Sequence, residues 1–404
     1  MNWFIWWIGG LLCILEMLFR NAPTVMTQEL STYYNLNSTQ LGLLVSSYYY
    51  PYVLLQIPGG IILDILGTRR MALFIASVST VAFTIFSSGL GLWSAYLGRI
   101  LLGLSASCAF ITALQISVQW FSKKDFSKMS GLTNMMLTIG GVTAGYPLAY
   151  LVQKFNWQSA SFMLSGVGFF WTLLIFFTMK EKESERKKHF EITKFTHAIK
   201  STVKNKILWR IGLISACLYL PFSAFAELWA VPYLTTTYNL KTTQAASIGV
   251  LLYIGSAFGS IFLNPLLRLV GGAIPGLKLT AMGIGIIFLL MYLFSPFSYP
   301  VLSVIFFSLG IITVGQMFAF TWAHENAVKN QEGVSFGFVN SITMMAPPFV
   351  QPMLGYVLDL FWEGQYVANG LKIYTAQAYR SAILIFPVFS LIALVILYAK
   401  RGRS

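Results

Sequence analysis

The sequence predicts an all-α membrane protein whose twelve transmembrane helices form two pseudo-symmetric six-helix bundles. Three observations lead there: composition, the spacing of apolar runs, and the placement of lysine and arginine. Of 404 residues, 56% are hydrophobic and 10% charged, against about 25% charged in a soluble domain. A soluble fold is excluded. At roughly 33 residues for a span and its connection, the length holds twelve spans. In order these are 4–29, 39–65, 71–90, 94–119, 129–151 and 159–178, then 208–236, 243–266, 279–296, 300–323, 334–360 and 380–399. The first is too long for a cleaved leader, carries Glu16 and Arg20, and lacks a small-residue cleavage pattern, so it is expected to be retained. The second and fourth hold Pro51 and Arg99, and the fifth and seventh are bent by Pro147 and Pro221. Gly140 and Gly141 in the fifth span, and Gly255 and Gly259 in the eighth, allow close helix approach.

Charge placement sets the topology. With a cytoplasmic N-terminus, 21 of the 27 Lys and Arg fall in the even-to-odd connections, in the C-terminal tail, or, for Arg210, at the cytoplasmic edge of the seventh span. This is the positive-inside pattern, and both termini are expected to be cytoplasmic. The net charge of +14 then reports topology and contact with anionic lipid rather than a nucleic-acid partner. Cys13, Cys108 and Cys217 sit in apolar runs without CxxC or Cys/His spacing, so no disulfide, metal or cofactor is expected. No nucleophile-base pair or nucleotide loop points to an enzyme.

The one long polar stretch, 180–207, divides the chain into an N-terminal bundle (1–179) and a C-terminal bundle (208–404). Phe190, Ile192, Phe195, Ala198 and Ile199 recur there at near-helical spacing. An amphipathic helix on the cytoplasmic face and a solvated connector both fit.

Short motifs sharpen the reading. Spans two and three are joined by Gly60-Ile61-Ile62-Leu63-Asp64-Ile65-Leu66-Gly67-Thr68-Arg69-Arg70. Gly67 permits a turn with positive φ, and Arg69 and Arg70 offer charge to neighbouring helix ends. The loop resembles the signature of the major facilitator superfamily, departing from it at Ile65 and Thr68, where the family carries basic residues. Arg99 with Gly103 resembles the family's fourth-helix motif. Trp120-Phe121, Gly140-Gly141 and Phe336 to Asn340 look similar too. Leu18 to Pro23, Gln40 to Leu44 and Tyr52 to Gly60 resemble the anion:cation symporters that carry sugar acids and other organic anions. That branch's acidic residues before the arginine and in the fourth helix are replaced by Phe19 and Ala106.

The resemblance implies a secondary transporter of the bacterial inner membrane. It would be monomeric and probe each side of the membrane in turn by rocking its halves, with Gly60, Asp64, Gly67, Arg69, Arg70, Arg99 and Gly103 in gating or structural roles. It also implies that Arg20 contacts a substrate carboxylate, as a guanidinium fork suits. The expected substrate is a small carboxylate-bearing metabolite, an organic anion or amino acid, moved with a proton; a drug or carboxylate siderophore is the alternative. Only Glu16 and Glu227 lie well inside spans among the acids. Glu16 is four residues from Arg20, so an ion pair or a protonation role is expected. Glu227 should reach the depth of Arg20 across a central cavity, where it would bind a substrate ammonium, carry the proton, or neutralise Arg20. Tyr52, Gln56, Gln115, Trp229, Gln316, Trp322 and Asn340 complete the expected lining; helix-helix packing is the alternative for each.

Overall fold

The computed structural model describes residues 2–121, 126–179, 199–327, 332–366 and 372–399. It divides into two units: residues 1–35 with 43–191, and residues 36–42 with 192–404. The expected amphipathic helix at 190–199 falls almost wholly outside the described residues.

The first unit comprises α1 (Asn2–Asn21), a 3-10 turn (Ala22–Val25), α2 (Thr27–Tyr34), the C-terminal part of α3 (Ser38–Ser46), α4 (Tyr49–Leu66), α5 (Thr68–Ser87), α6 (Leu92–Trp120), α7 (Phe126–Thr143), α8 (Tyr146–Phe155) and α9 (Trp157–Thr178). The long α6 lies against α1, α4 and α5, and α5 lies against α9. A core of Ile8, Leu12, Ile75, Cys108, Ile116 and Ile175 seals α1, α5, α6 and α9 together.

The second unit holds α10 (Lys206–Leu220), a π-helical stretch (Pro221–Trp229), α11 (Ala230–Tyr238), α12 (Thr242–Ile261), α13 (Leu263–Leu269), α14 (Ala273–Leu293), α15 (Tyr299–Thr313), a 3-10 turn (Val314–Met317), α16 (Phe318–Glu325), α17 (Glu332–Met345), α18 (Pro347–Leu360), α19 (Ala376–Ile383) and α20 (Ile385–Tyr398). Phe225 sits at its aromatic centre, edge-on to Phe288 at 5.2 Å and to Phe386 at 5.6 Å.

Ten segments of the described residues are long and apolar enough to cross a membrane. The expected spans 39–65 and 334–360 are not among them; there the chain folds as α3 with α4 and as α17 with α18. Proline explains both interruptions. Pro51 and Pro348 lack the N–H that would carry the helical ladder across the joint.

The start of α3 illustrates how sequence writes a helix end. Asn37 and Gln40 form a reciprocal cap, with Asn37 Oδ1 accepting from Gln40 N at 2.8 Å and Gln40 Oε1 accepting from Asn37 N at 3.0 Å. The two remaining exposed donors are met from elsewhere in the second unit. Ser38 N donates to the Tyr374 phenol at 3.1 Å, and Thr39 N donates to Asp359 Oδ2 at 3.1 Å. Asp359 also accepts from Thr39 Oγ1 at 2.6 Å, Lys372 Nζ at 2.9 Å and the Tyr374 hydroxyl at 2.6 Å. Burial, and then the bond to the Asp359 carboxylate, pushes the Tyr374 phenol up to about 12. Asp359→Ala strips four donors of their acceptor and is expected to cost about 2–4 kcal/mol of stability. The check is the thermal midpoint of purified protein, which falls in Asp359→Ala and recovers partly in Asp359→Asn.

Candidate functional site

The site of the first unit is built on two proline-opened helices and one arginine. Pro23 cannot donate to the carbonyl four residues back, so the Phe19 carbonyl is orphaned where α1 gives way to its 3-10 turn. The chain opens again between α3 and α4, freeing the Val45 carbonyl. Arg99 of α6 occupies these vacancies. Its Nη1 donates to the Arg20 carbonyl at 3.0 Å and the Phe19 carbonyl at 3.4 Å. Its Nε and Nη2 fork onto the Val45 carbonyl at 3.2 and 2.7 Å. The planar guanidinium suits this task, since it offers five donors in fixed directions.

Next to that clamp lies Arg20, the last basic residue of α1 and buried to 7% exposure. Its Nη2 donates to the Tyr49 hydroxyl at 2.7 Å. The guanidinium carbon lies 5.0 Å from the Tyr49 ring centre and 5.5 Å from that of Tyr48, and the Tyr48 ring also faces Arg99 at 5.2 Å. Tyr52 continues the aromatic face, stacked on Tyr48 at 5.6 Å. These rings desolvate the cation and strengthen its interactions with π faces. Gly103 makes the arrangement possible. A Cβ there would collide with the Tyr48 carbonyl and press on Pro51 Cγ at 3.0 Å, so α6 could not lie against the opened joint. Gly103→Val is expected to lose most folded protein, read as recovery of monodisperse material after detergent extraction.

Glu16 departs from one of its two expected roles. The i, i+4 spacing predicts an ion pair with Arg20, but the carboxyl faces α5 and α6, where Ser105 Oγ lies 3.3 Å from Oε1 and the Ser79 hydroxyl is its other neighbour. Oε2 has no hydrogen-bond partner. The side chain leans away from Arg20 because α1 is packed between α5, α6 and α7, and the inward face at residue 16 meets serines rather than the opened joint. Gln56 and Gln115 are half-buried in the same unit.

In the loop after α4, Gly67 adopts φ +80°, as the turn requires. Arg69 Nη2 donates to the Phe176 carbonyl at the C-terminal end of α9, at 3.1 Å. Arg70 is exposed, and the Gly60 Cα faces open space. The Asp64 side chain lies outside the described residues.

In the second unit, Glu227 is buried to 2% exposure within the π-helical stretch that Pro221 opens. Such wide turns are frequent at functional positions because they aim a side chain that a regular helix would misdirect. Gln351 of α18 braces this stretch: its Nε2 donates to the Ser223 carbonyl at 2.6 Å, and its own carbonyl accepts from Trp229 Nε1 at 3.0 Å. Trp229 is therefore tied into the scaffold. Gln316 is likewise bonded to Ser215 Oγ, which also receives Thr343 Oγ1 at 2.7 Å, joining α10, the 3-10 turn after α15, and α17. Trp322 is buried with its carbonyl accepting from Asn326 Nδ2 at 2.8 Å, and Asn340 is half-buried. Exposed His324 stacks on Phe336 at 5.9 Å.

Tyr49, one of the four tyrosines around Pro51 of which the sequence expects at least one phenol in the cavity, bonds Arg20. Two residues that sequence reading did not single out are placed centrally: Ser105 on Glu16 and Gln351 on the π-helical stretch. All three cysteines are free and buried.

Comparison with known proteins agrees with this architecture. The Major Facilitator Superfamily profile matches residues 8–352, and the chain belongs to that family. It is a family of membrane transporters, not enzymes. A bacterial homologue of the human lysosomal transporter Spinster, solved facing inward and unoccupied, shares the fold at a TM-score of 0.81 and 16% identity, covering 98% of this chain and 96% of that one. Among curated relatives, the uncharacterized transporter YybO of Bacillus subtilis (strain 168) is 30% identical over 45% of this chain and 42% of its own length. The hexuronate transporter of the same organism is 26% identical over 43% of this chain and 41% of its own. The chain thus matches less than half the length of these two relatives. The lysosomal dipeptide transporter MFSD1 of Homo sapiens aligns more widely, at 24% identity over 86% of this chain and 78% of its own.

Proposed function

We propose that the protein is a secondary active transporter of a small carboxylate-bearing metabolite, coupled to protons and working by alternating access in the bacterial inner membrane. One observation carries the reading. Arg20 is a buried guanidinium, oriented by the Tyr49 hydroxyl and two aromatic rings, at the point where α1 opens. A buried arginine inside an apolar span is costly, and its retention is explained by an anionic partner. Relatives named for hexuronate, galacturonate, sulfoacetate and dipeptide transport support the choice, since each of those compounds bears a carboxylate. Glu227 then pairs with a substrate ammonium or exchanges a proton, and the two roles separate by substrate. The first requires a zwitterion such as a dipeptide; the second suits a sugar acid.

The test is uptake by proteoliposomes of galacturonate, glucuronate, sulfoacetate and alanyl-alanine, with and without an inwardly acidifying proton gradient. The reading expects accumulation of at least one of these, raised by the gradient. Uptake of none of them, with transport of an uncharged compound instead, would overturn it.

A further inference from the structure

Asn21 is the buried polar residue of the first unit that neither the fold nor carboxylate binding at Arg20 puts to use. It closes α1 and precedes the 3-10 turn, a position where asparagine ordinarily caps the turn with its side chain. Here it makes no capping bond. The residue is buried to 2% exposure, and among the described residues neither its Oδ1 nor its Nδ2 has a hydrogen-bond partner. Buried carboxamides are nearly always paired, because a donor and an acceptor taken from water without replacement are both costly. Leucine has nearly the same shape and would avoid that cost, so packing alone gives no reason for an asparagine here.

The backbone beside it is engaged elsewhere. The Phe19 and Arg20 carbonyls accept from Arg99 Nη1 at 3.4 and 3.0 Å. Along the α1 face that carries Asn21, a Cβ on Gly10 would press on Met136 Cγ at 3.0 Å, and one on Gly140 would collide with Met17 Cβ at 2.7 Å. The two helices α1 and α7 therefore run in step, and Asn21, one turn beyond Met17, comes level with the break between α7 and α8. At that break Thr143 Oγ1 donates to the Gly140 carbonyl at 2.8 Å. Helices interrupted at one depth are where a transporter has room for a ligand.

The chemistry of a bare carboxamide selects its partner. A hydroxyl gives its proton to Oδ1 and offers lone pairs to Nδ2, and two vicinal hydroxyls do both at once. A trans peptide group points its N–H and C=O in opposite directions, so one carboxamide meets only one of them. An alkyl group meets neither. Successive side chains diverge by about 100° around a helix, so Asn21 reads a part of the ligand apart from whatever Arg20 holds. We infer that Asn21 is a substrate-binding residue that sets specificity, its carboxamide taking hydroxyl groups of a hydroxylated carboxylate whose acid group sits on Arg20. The inference rests on the carboxylate reading above and deepens it, selecting hydroxy acids over dipeptides and alkyl acids.

The experiment uses the detergent-purified full chain as wild type and as Asn21→Leu. The ligands are galacturonate, glucuronate and gluconate, their hydroxyl-free counterparts cyclohexanecarboxylate and hexanoate, alanyl-alanine, and galactose. Without ligand, the thermal midpoint of Asn21→Leu is expected to equal or exceed that of wild type, because no internal hydrogen bond is lost. Titration calorimetry is expected to show at least one hydroxylated acid binding wild type about tenfold or more tighter than its hydroxyl-free counterpart, and that preference collapsing in Asn21→Leu while the counterpart binds both proteins alike. Unchanged affinity for the hydroxylated acid in Asn21→Leu, as a carboxamide that meets only water would give, overturns the inference. So does an equal loss for both members of a pair, or failure of both Asn21→Leu and Asn21→Ala to fold, since each makes the residue structural. Wild type that binds alanyl-alanine alone keeps the carboxylate reading and overturns this one. Wild type that binds galactose and no acid, with the response lost in Asn21→Leu, sinks the carboxylate reading and leaves the hydroxyl site standing; wild type that binds none of the seven compounds sinks both.

Discussion

Arg20→Gln abolishes carboxylate binding while leaving the protein folded, and Arg20→Lys restores only a small part of it. Glutamine keeps the aliphatic stem and an amide donor, stops two bonds short of the Nη2 that meets Tyr49, and removes the charge. Lysine keeps the charge but not the fork that meets both oxygens of a carboxylate. Loss of a charge-assisted bidentate pair in a buried setting is expected to weaken binding about 100-fold or more, close to 3 kcal/mol. Tyr49→Phe should fall between wild type and Arg20→Lys, because it removes the 2.7 Å hydrogen bond that aims the guanidinium while leaving its aromatic face and its charge. Titration calorimetry across the four proteins ranks them as wild type, Tyr49→Phe, Arg20→Lys, Arg20→Gln.

Arg99→Met gives the second large effect, and it is a loss of structure before it is a loss of binding. The Phe19, Arg20 and Val45 carbonyls all rely on this one side chain, which is buried to 2% exposure. Each orphaned buried carbonyl costs about 1–3 kcal/mol. Relaxation of the opened joints returns some of that, leaving an expected destabilisation on the order of 3 kcal/mol. Arg99→Lys should recover little, since one ammonium cannot span three carbonyls on two chain segments. The thermal midpoint checks this without any ligand. The two arginines are thus expected to separate cleanly: Arg20 variants change affinity at nearly constant stability, and Arg99 variants change stability first.

Much of this architecture was legible in the residues because membrane burial forces it. Apolar runs and the Lys/Arg asymmetry follow from the bilayer, and Gly67 at φ +80° follows from a tight turn between two helices. The helix breaks were legible at Pro51 and Pro221, yet what fills them was not. Arg99, read as a gating or structural arginine, is placed by proline chemistry eighty residues away in sequence. Glu16 and Arg20 show the limit of local spacing. The i, i+4 rule holds for an isolated helix surface, but within a packed bundle the partner is decided by the neighbouring helices, here Ser105 of α6 for Glu16 and Tyr49 of α4 for Arg20. Trp229 and Gln316 read as lining residues from their aromatic or polar character and their place within spans. Their hydrogen bonds to Gln351 and Ser215 are long-range pairings that no single-chain pattern encodes.

The central claim is that Arg20 holds a carboxylate, and one paired measurement addresses it most directly. Thermal midpoints of wild type and Arg20→Gln are recorded with galacturonate, its uncharged counterpart galactose, and the other three carboxylates. A ligand at 100 times its dissociation constant stabilises by about 2.7 kcal/mol, a readily seen shift. The account predicts that at least one carboxylate raises the midpoint of wild type but not of Arg20→Gln, and that galactose raises neither. Equal shifts in both proteins, or a response to galactose that matches galacturonate, would contradict it.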